Sequence, residues 1–357
     1  MLAFFISFFI ALIAAPLIIR LYLRFRWVDD PKQAPHAKKT HSIPIPRGGG
    51  IVVFIAILLS SVLFLTFDSY LIAILVGAAI LALVGIVDDI YDINPYIRIG
   101  TGLLAALVVI GAGIGIAYVT NPFGEGVIHL NQPQISLFIF GKLRNIWLLS
   151  DLFALVFILW NMNSINWAKG VDGQLPGFVT ASSIVIALLS LRFQDDPTQF
   201  NTTLLSLIVA GAFLGLLFWN FFPQRMMPGY GGGSLAGYFL SILAILSGAK
   251  LATTLMVLAI PTADGLFTIA RRILAGKSPF WGDRGHLHHK LMDTFGWGKR
   301  RVAIFYWASS LGLGLFSLLL SSRGKIITFL TVVAFVFGFM VWAKMKTLTP
   351  DAASGKS

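Results

Sequence analysis

The sequence predicts an all-α polytopic membrane protein with about eleven transmembrane helices, and three observations carry that expectation. Of its 357 residues, 57% are hydrophobic and only 12% charged, a composition outside the range of soluble domains. The apolar residues gather in long runs, near the ~20 residues that cross ~30 Å of hydrocarbon. Lys and Arg are shared unequally between alternate connecting segments, which sets an orientation.

The runs occupy positions 2–22, 48–67, 69–87, 99–119, 145–161, 175–191, 202–220, 235–249, 251–270, 302–321 and 326–343. Backbone polar groups cannot stay unpaired in lipid, so each run is expected as a helix. No cationic region precedes the first run, whereas Arg20, Arg24 and Arg26 end it or follow it. That order predicts a retained span with its amino terminus outside, not a cleaved signal. Segments after odd-numbered helices then face the cytoplasm. All but six of the 27 Lys and Arg lie there, the exceptions being Lys142, Arg144, Arg192, Lys250, Arg323 and Lys325. The chain reads as one transmembrane helical domain over 1–346 with a flexible cytoplasmic tail over 347–357. Outside, residues 120–144 alternate apolar positions around Asn131-Gln132-Pro133, the pattern of a small extracytoplasmic β-hairpin.

There are no cysteines, which excludes disulfides and thiolate metal sites. The net charge of +12 in so apolar a chain points to an anionic leaflet and phosphorylated substrates rather than nucleic acid.

Five segments on the predicted inner side carry the chemistry. In residues 28–50, Lys38, Lys39, His41 and Arg47 crowd beside prolines and Gly48-Gly49-Gly50. Phosphate binding and an ordinary basic loop with a glycine hinge both fit. In residues 85–100, Asp88 and Asp89 end a very apolar helix, where the helix dipole disfavours carboxylates. Such a pair shares a cation or a proton, or forms a plain solvated end. In residues 160–177, Asn161, Asn163 and Asn166 close one helix and Gly170, Asp172 and Gly173 turn into the next; the amides suit capping or a nucleobase edge. Residues 219–238 hold Asn220 and a run from Gly229 to Gly233 before Ser234, a flexible turn or an anion-binding helix start. In residues 261–301, Asp264, Thr268 and Arg271 share a helix face, and His286, His288 and His289 lie between Arg284 and Lys290. The flanking cations favour a phosphate over a metal there.

In this order the segments resemble the polyprenyl-phosphate N-acetylhexosamine-1-phosphate transferases, glycosyltransferase family 4. That family includes phospho-N-acetylmuramoyl-pentapeptide transferase and the UDP-N-acetylglucosamine:undecaprenyl-phosphate transferases. The resemblance runs from about Asp30 to Arg301. It rests on Lys38-Lys39-Thr40-His41 with Pro44 and Gly48-Gly49, Asp88-Asp89, Asn163 to Asn166, Gly170 to Gly173, Asn220 with Pro223, and Arg284 to His289. It implies transfer of a sugar-1-phosphate from a UDP-sugar to undecaprenyl or another polyprenyl phosphate, with release of UMP, in cell-wall biogenesis. It further implies Mg²⁺ as cofactor, held by Asp88, Asp89 and Asp172, and catalytic roles for these acids with Lys39. Substrate-binding roles fall by resemblance on His41, Asn163, Asn166, Lys169, Asn220, Arg284, His286, His288 and His289, with the basic and histidine groups carrying pyrophosphate charge. The implied partners are the UDP-sugar, the polyprenyl phosphate and the membrane, with no nucleic acid, and a homodimer is a further expectation. The His-x-His-His form looks closer to the N-acetylglucosamine-type members.

Two positions depart from the family pattern. Lys169 stands where an Asp is usual, and, matching on the terminal Gly-Ser, Gly231 stands where a metal-binding Asp is usual. A lysine ammonium filling part of the metal's space and charge is one consequence; an impaired relative that only binds polyprenyl phosphate is another. A transporter, which would place ionisable groups near the bilayer midplane, is less favoured, since only Asp151 reads as deep. The family reading requires Lys39, Asp88, Asp89, Asp172 and His286 to converge on a common pocket at the inner water–lipid boundary.

Overall fold

The computed structural model describes residues 1–32, 41–121, 124–139, 142–193, 195–248, 251–278 and 284–348. Helix α1 (Leu2–Phe25) leads through β1 (Val28–Asp29) and β2 (Ile45–Pro46) to α2 (Gly49–Phe64), α3 (Ser69–Tyr91) and α4 (Pro95–Gly111). Strands β3 (Tyr118–Thr120), β4 (Val127–His129), β5 (Gln134–Ile139) and β6 (Lys142–Trp147) precede α5 (Leu148–Trp167), α6 (Gln174–Ser190), α7 (Pro197–Asn220) and α8 (Gly229–Leu246). Then come α9 (Leu251–Val257), α10 (Ala259–Leu274), α11 (Leu287–Phe295), α12 (Lys299–Ser317) and α13 (Ser322–Leu348).

The expectation of about eleven spans is corrected. Among the described residues seven helices are long and apolar enough to cross a membrane, or up to eight if α9 and α10 form one bent span. Helix α2 has 16 residues and α4 has 17, because Leu65 turns extended and the 99–119 run leaves the helix after Gly111. The 251–270 run bends by 79° between α9 and α10. Pro261 has no N–H to bond the Val257 carbonyl, which weakens the ladder at that break. Helix α12 opens on Lys299-Arg300-Arg301 and is diluted by Ser and Gly. The fold is a multi-pass helical membrane protein with fewer full-length spans than its apolar runs.

The predicted hairpin about Asn131-Gln132-Pro133 is also corrected: β4 and β5, which flank it, do not pair with each other. β4 pairs back with β3, and β5 pairs forward with β6, each antiparallel. Alternation identified strand residues but could not set which runs pair. Of the predicted tail, Thr347 and Leu348 continue α13, and 349–357 lie outside the described residues.

Small residues bring the helices together. On α1, Ala3, Ser7, Ala11 and Ala15 are buried at every fourth position, and the Ser7 hydroxyl donates to the Ile208 carbonyl of α7 at 2.7 Å. Such stripes let helix backbones approach closely in a bundle without water. The tightest junction joins the starts of α2 and α8 to the end of α3. A Cβ on Gly85 would lie 2.6 Å from the Gly231 Cα, and one on Gly50 would lie 2.7 Å from the Gly231 carbonyl carbon. This contact fixes the level at which three helix ends meet.

Gly85→Ala should therefore destabilise the protein by about 1–3 kcal/mol through overpacking. It would be seen as a lowered melting temperature in detergent. Gly100→Ala, at an α4 position whose added Cβ meets nothing within 4 Å, should be neutral or slightly stabilising.

Candidate functional site

The site is organised by the turn from Ala168 to Gly173, which joins α5 to α6. Helix α5 ends in an amide-rich stretch because asparagine amides bond carbonyls of the preceding turn: Asn161 to Phe157, Asn163 to Leu159 and Asn166 to Met162. Only Asn166 also reaches across, donating to the Ser234 hydroxyl on α8 at 2.8 Å. Asn163 thus serves its own helix among the contacts seen.

Lys169 follows. Its ammonium donates to Asn166 Oδ1 at 2.7 Å and to the Gly229 carbonyl at 2.5 Å. Burial pulls its pKa down to about 7, against the support of Asp88 and Asp89 and with the opposition of Arg98 and Arg47. Gly229 presents its carbonyl from a backbone with φ of +66°, open to glycine at little cost. A side chain there would also strike the Arg47 carbonyl and come within 2.5 Å of Asp89 Oδ1.

The acid pair stands beside this ammonium and is asymmetric. Asp88 is buried and accepts from Arg98 Nε at 2.5 Å. Asn94 caps α4 and Pro95 begins it, so Arg98 sits in the opening turns, next to the end of α3. The same guanidinium bonds Asp92 at 2.7 Å and lies 5.4 Å over the Tyr230 ring. Asp89 faces the start of α8, and its Oδ1 is buried with no hydrogen-bond partner among the described residues. Lys169 and Arg47 are the cations acting on it. Arg47 pairs with Asp29 at 3.0 Å; burial opposes its charge, but Asp29 outweighs burial and strengthens it. His41 Nε2 lies 3.2 Å from the Asp29 carbonyl. Lys39 lies outside the described residues.

Gly170 carries the turn to the histidines, since a Cβ there would collide with the His288 ring. His286 and His288 stack with centroids 5.6 Å apart, and His288 and His289 lie 4.3 Å apart. Asp264, buried on α10, accepts the Leu287 N–H at 2.9 Å and lies 3.2 Å from His286 Nδ1. Burial first, then His289, drives the His288 pKa well below the usual value; burial and Arg284 lower His289 to about 4. Both are therefore neutral near pH 7. Neutral, they offer N–H donors and ring nitrogens. Arg284 pairs with Asp293 at 2.8 Å on the exposed side.

Asp172 makes the third branch. It accepts from Lys299 Nζ at 3.2 Å and from the Gln224 N–H at 3.3 Å. Asn220 holds this branch in place, taking the Gly173 N–H at 3.0 Å and donating to Gln224 and to the Met226 carbonyl. One turn thus sets the Lys169 ammonium in the field of the acid pair, packs on the histidines through Gly170 and reaches Lys299 through Asp172. Asp88, Asp89, Asp172 and His286 are linked by short chains of contacts at one end of the bundle.

Asp88, Asp89 and Asp172 do not gather into a metal-ligand set among the described residues. Among the described residues no three His, Cys, Asp or Glu side chains gather to hold a metal. Asp88 and Asp172 each already pair with a cation, and the Lys169 ammonium acts on the acid pair. A magnesium site needs uncommitted oxygen ligands in near-octahedral array. At Gly231, which packs against Gly85 and Gly50, an added Cβ would lie 3.2 Å from the Gly85 Cα, a tight contact relieved by a shift of a few tenths of an ångström.

Sequence reasoning assigned no role to Arg98, Lys299, Gln224 or Tyr230. Arg98 had a signal, an Asn-Pro helix start soon after the acid pair. Lys299 was hidden in a basic run that membrane orientation already explained.

The sequence profile of glycosyl transferase family 4 matches residues 71–248. A probable undecaprenyl-phosphate N-acetylglucosaminyl 1-phosphate transferase from Bacillus subtilis is 29% identical over 314 residues, covering 85% of this chain and 80% of the relative. A decaprenyl-phosphate N-acetylglucosaminephosphotransferase from Mycobacterium leprae is 27% identical, covering 78% and 75%. A phospho-N-acetylmuramoyl-pentapeptide-transferase from Latilactobacillus sakei is 28% identical, covering 85% and 93%.

Asp264→Ala should cost about 1.5–3 kcal/mol, because it strands the buried Leu287 N–H and loosens His286. Asp293→Ala, which breaks the exposed pair with Arg284, should cost under about 1 kcal/mol. Thermal denaturation of the purified variants measures both.

Proposed function

The chain belongs to glycosyl transferase family 4, and from that membership we propose that it transfers N-acetylhexosamine-1-phosphate from a UDP-sugar to a polyprenyl phosphate, releasing UMP. The general chemistry is polyprenyl-phosphate sugar-1-phosphate transfer in cell-envelope glycan synthesis, in a multi-pass membrane protein. The names of the Bacillus and Mycobacterium relatives, with the spacing of His286, His288 and His289, favour N-acetylglucosamine. The excess of Lys and Arg in the segments bearing these residues favours a cytoplasmic site.

The observation that carries the reading is the turn at 168–173, with its three branches. In the proposed transfer, an oxygen of the lipid phosphate attacks the sugar-bearing phosphorus of the UDP-sugar. The new bond is P–O to the lipid phosphate; the bond broken is P–O to UMP, which leaves with the electron pair. Two anions must meet, so positioning and neutralisation of charge supply most of the rate. Lys169 and Arg47 stand on the acid-pair side, Lys299 on the Asp172 side, and the neutral histidines donate hydrogen bonds to phosphate oxygens. Asp89, with an open buried oxygen, takes a proton from the lipid phosphate if it arrives singly protonated. Lys39 and His41 add to the phosphate contacts by resemblance.

The test uses the full chain in detergent or nanodiscs with labelled UDP-N-acetylglucosamine and polyprenyl phosphate. A lipid-linked pyrophosphoryl sugar and UMP are expected, and Asp89→Asn should lower kcat about 10²–10⁴-fold. If none of several UDP-sugars yields a lipid-linked product, the assignment is wrong.

A pH profile adds a second check. Lys169 has its pKa lowered from 10.5 to about 7, so it is charged below about 7 and neutral above. Turnover should fall as pH rises through about 7, and Lys169→Arg should remove that limb. Stability should move the other way. Between about 7 and 10.5 the unfolded chain binds the extra proton, so the linked stability rises with pH.

A further inference from the structure

An ammonium drawn into a protein interior is stable there only when its donors and its charge are met. Lys169 meets this with two neutral oxygens, Asn166 Oδ1 and the Gly229 carbonyl, and with the field of Asp88 and Asp89. Three features indicate that the surroundings are built for it. Asn166 is itself fixed by its bond to Ser234 on α8. Gly229 adopts a left-handed backbone that aims its carbonyl at Nζ and leaves Asp89 alongside. The acid pair brings two carboxylates but Arg98 binds one of them, so one acid remains for the ammonium and any substrate. A lysine has three N–H donors; two are engaged, and the third has no partner among the described residues.

We propose that Lys169 is the resident cation of this site, so that its ammonium, rather than a divalent ion, neutralises the phosphates during transfer. The inference rests on the proposed sugar-1-phosphate transfer and names how this chain performs it. The third N–H takes an oxygen of the pyrophosphate that forms between lipid and sugar, while Asn166 and Gly229 hold Nζ still. The ammonium exchanges no electrons and forms no bond: the P–O bond made and the P–O bond broken are those already described. Two further facts agree with it. Asp88 and Asp172 already pair with Arg98 and Lys299, and Gly231, packed against Gly85 and Gly50, brings no carboxylate of its own. A fixed ammonium is a compact point charge that binds phosphate without bidentate geometry. It neutralises charge but polarises less than a metal, so turnover is expected to be slow and insensitive to chelator.

The test uses full-length protein in nanodiscs with two readouts, transfer from UDP-N-acetylglucosamine to polyprenyl phosphate, and calorimetric binding of inorganic pyrophosphate. Wild-type transfer and pyrophosphate affinity should both stay within about twofold when EDTA replaces Mg²⁺. Lys169→Met, close in length without the charge, should weaken pyrophosphate binding about 10–100-fold and lower turnover about 100-fold, with no recovery on adding Mg²⁺. Lys169→Arg should keep most of the binding. The proposal is overturned if EDTA abolishes wild-type pyrophosphate binding and Mg²⁺ restores it, or if Lys169→Met binds pyrophosphate as wild type does. Should no UDP-sugar be turned over under any condition, the transfer reading fails while pyrophosphate binding still decides the role of Lys169. Should Lys169→Met fail to fold, the wild-type comparison with and without EDTA decides it without a variant.

Discussion

A buried ammonium needs oxygens and opposite charge around it, and that need at Lys169 orders the rest of the site. Its pKa, drawn down to about 7 by burial, records how far the charge has been taken from water. The two oxygens that hold it come from different helix ends, Asn166 from α5 and Gly229 from the start of α8. The acids that favour it come from a third, the end of α3. Only a fold that brings these ends to one level can satisfy the lysine.

The contact of Gly50, Gly85 and Gly231 supplies that level. Gly85 lies one turn before the acid pair on α3, and Gly231 lies two residues after the carbonyl that Lys169 binds. Backbone against backbone, the helices cannot slide without opening a gap that no side chain fills. Packing and chemistry meet here: the glycine that permits close approach at 231 is also a position without a carboxylate. A cation on a flexible stem, reaching in from a turn, needs no room in that junction.

Much of this was legible in the sequence, and the rest was hidden for physical reasons. Composition identifies a membrane protein of helices, because lipid allows few other elements for such apolar runs. Run length does not give the number of spans. Extended backbone ends α2 early, Pro261 lies just past the break between α9 and α10, and Lys299 to Arg301 make the start of α12 polar. The hairpin pairing was likewise hidden, since alternation marks strand residues and not their partners. In the site, the asparagines, the turn and the histidines were visible as motifs. Their charges were not: His288 and His289 look like cations in sequence, yet burial keeps them neutral. Arg98 and Lys299 were obscured because a basic residue near a membrane already has an explanation.

The adjacency of Asp88 and Asp89 then has a geometric meaning. Neighbouring residues on a helix point about 100° apart, so two consecutive acids cannot serve one partner equally. Asp88 turns to α4 and is matched by Arg98 in a charge-assisted bond, which holds it in place. Asp89 turns to α8, where Gly229 leaves space and one carboxylate oxygen stays unbonded. The arginine breaks the symmetry of the pair, engaging Asp88 and leaving an oxygen of Asp89 without a hydrogen bond among the described residues. The pair divides its partners, Arg98 on Asp88 and the start of α8 on Asp89, and the division follows from the helix repeat together with the arginine placed to break the symmetry.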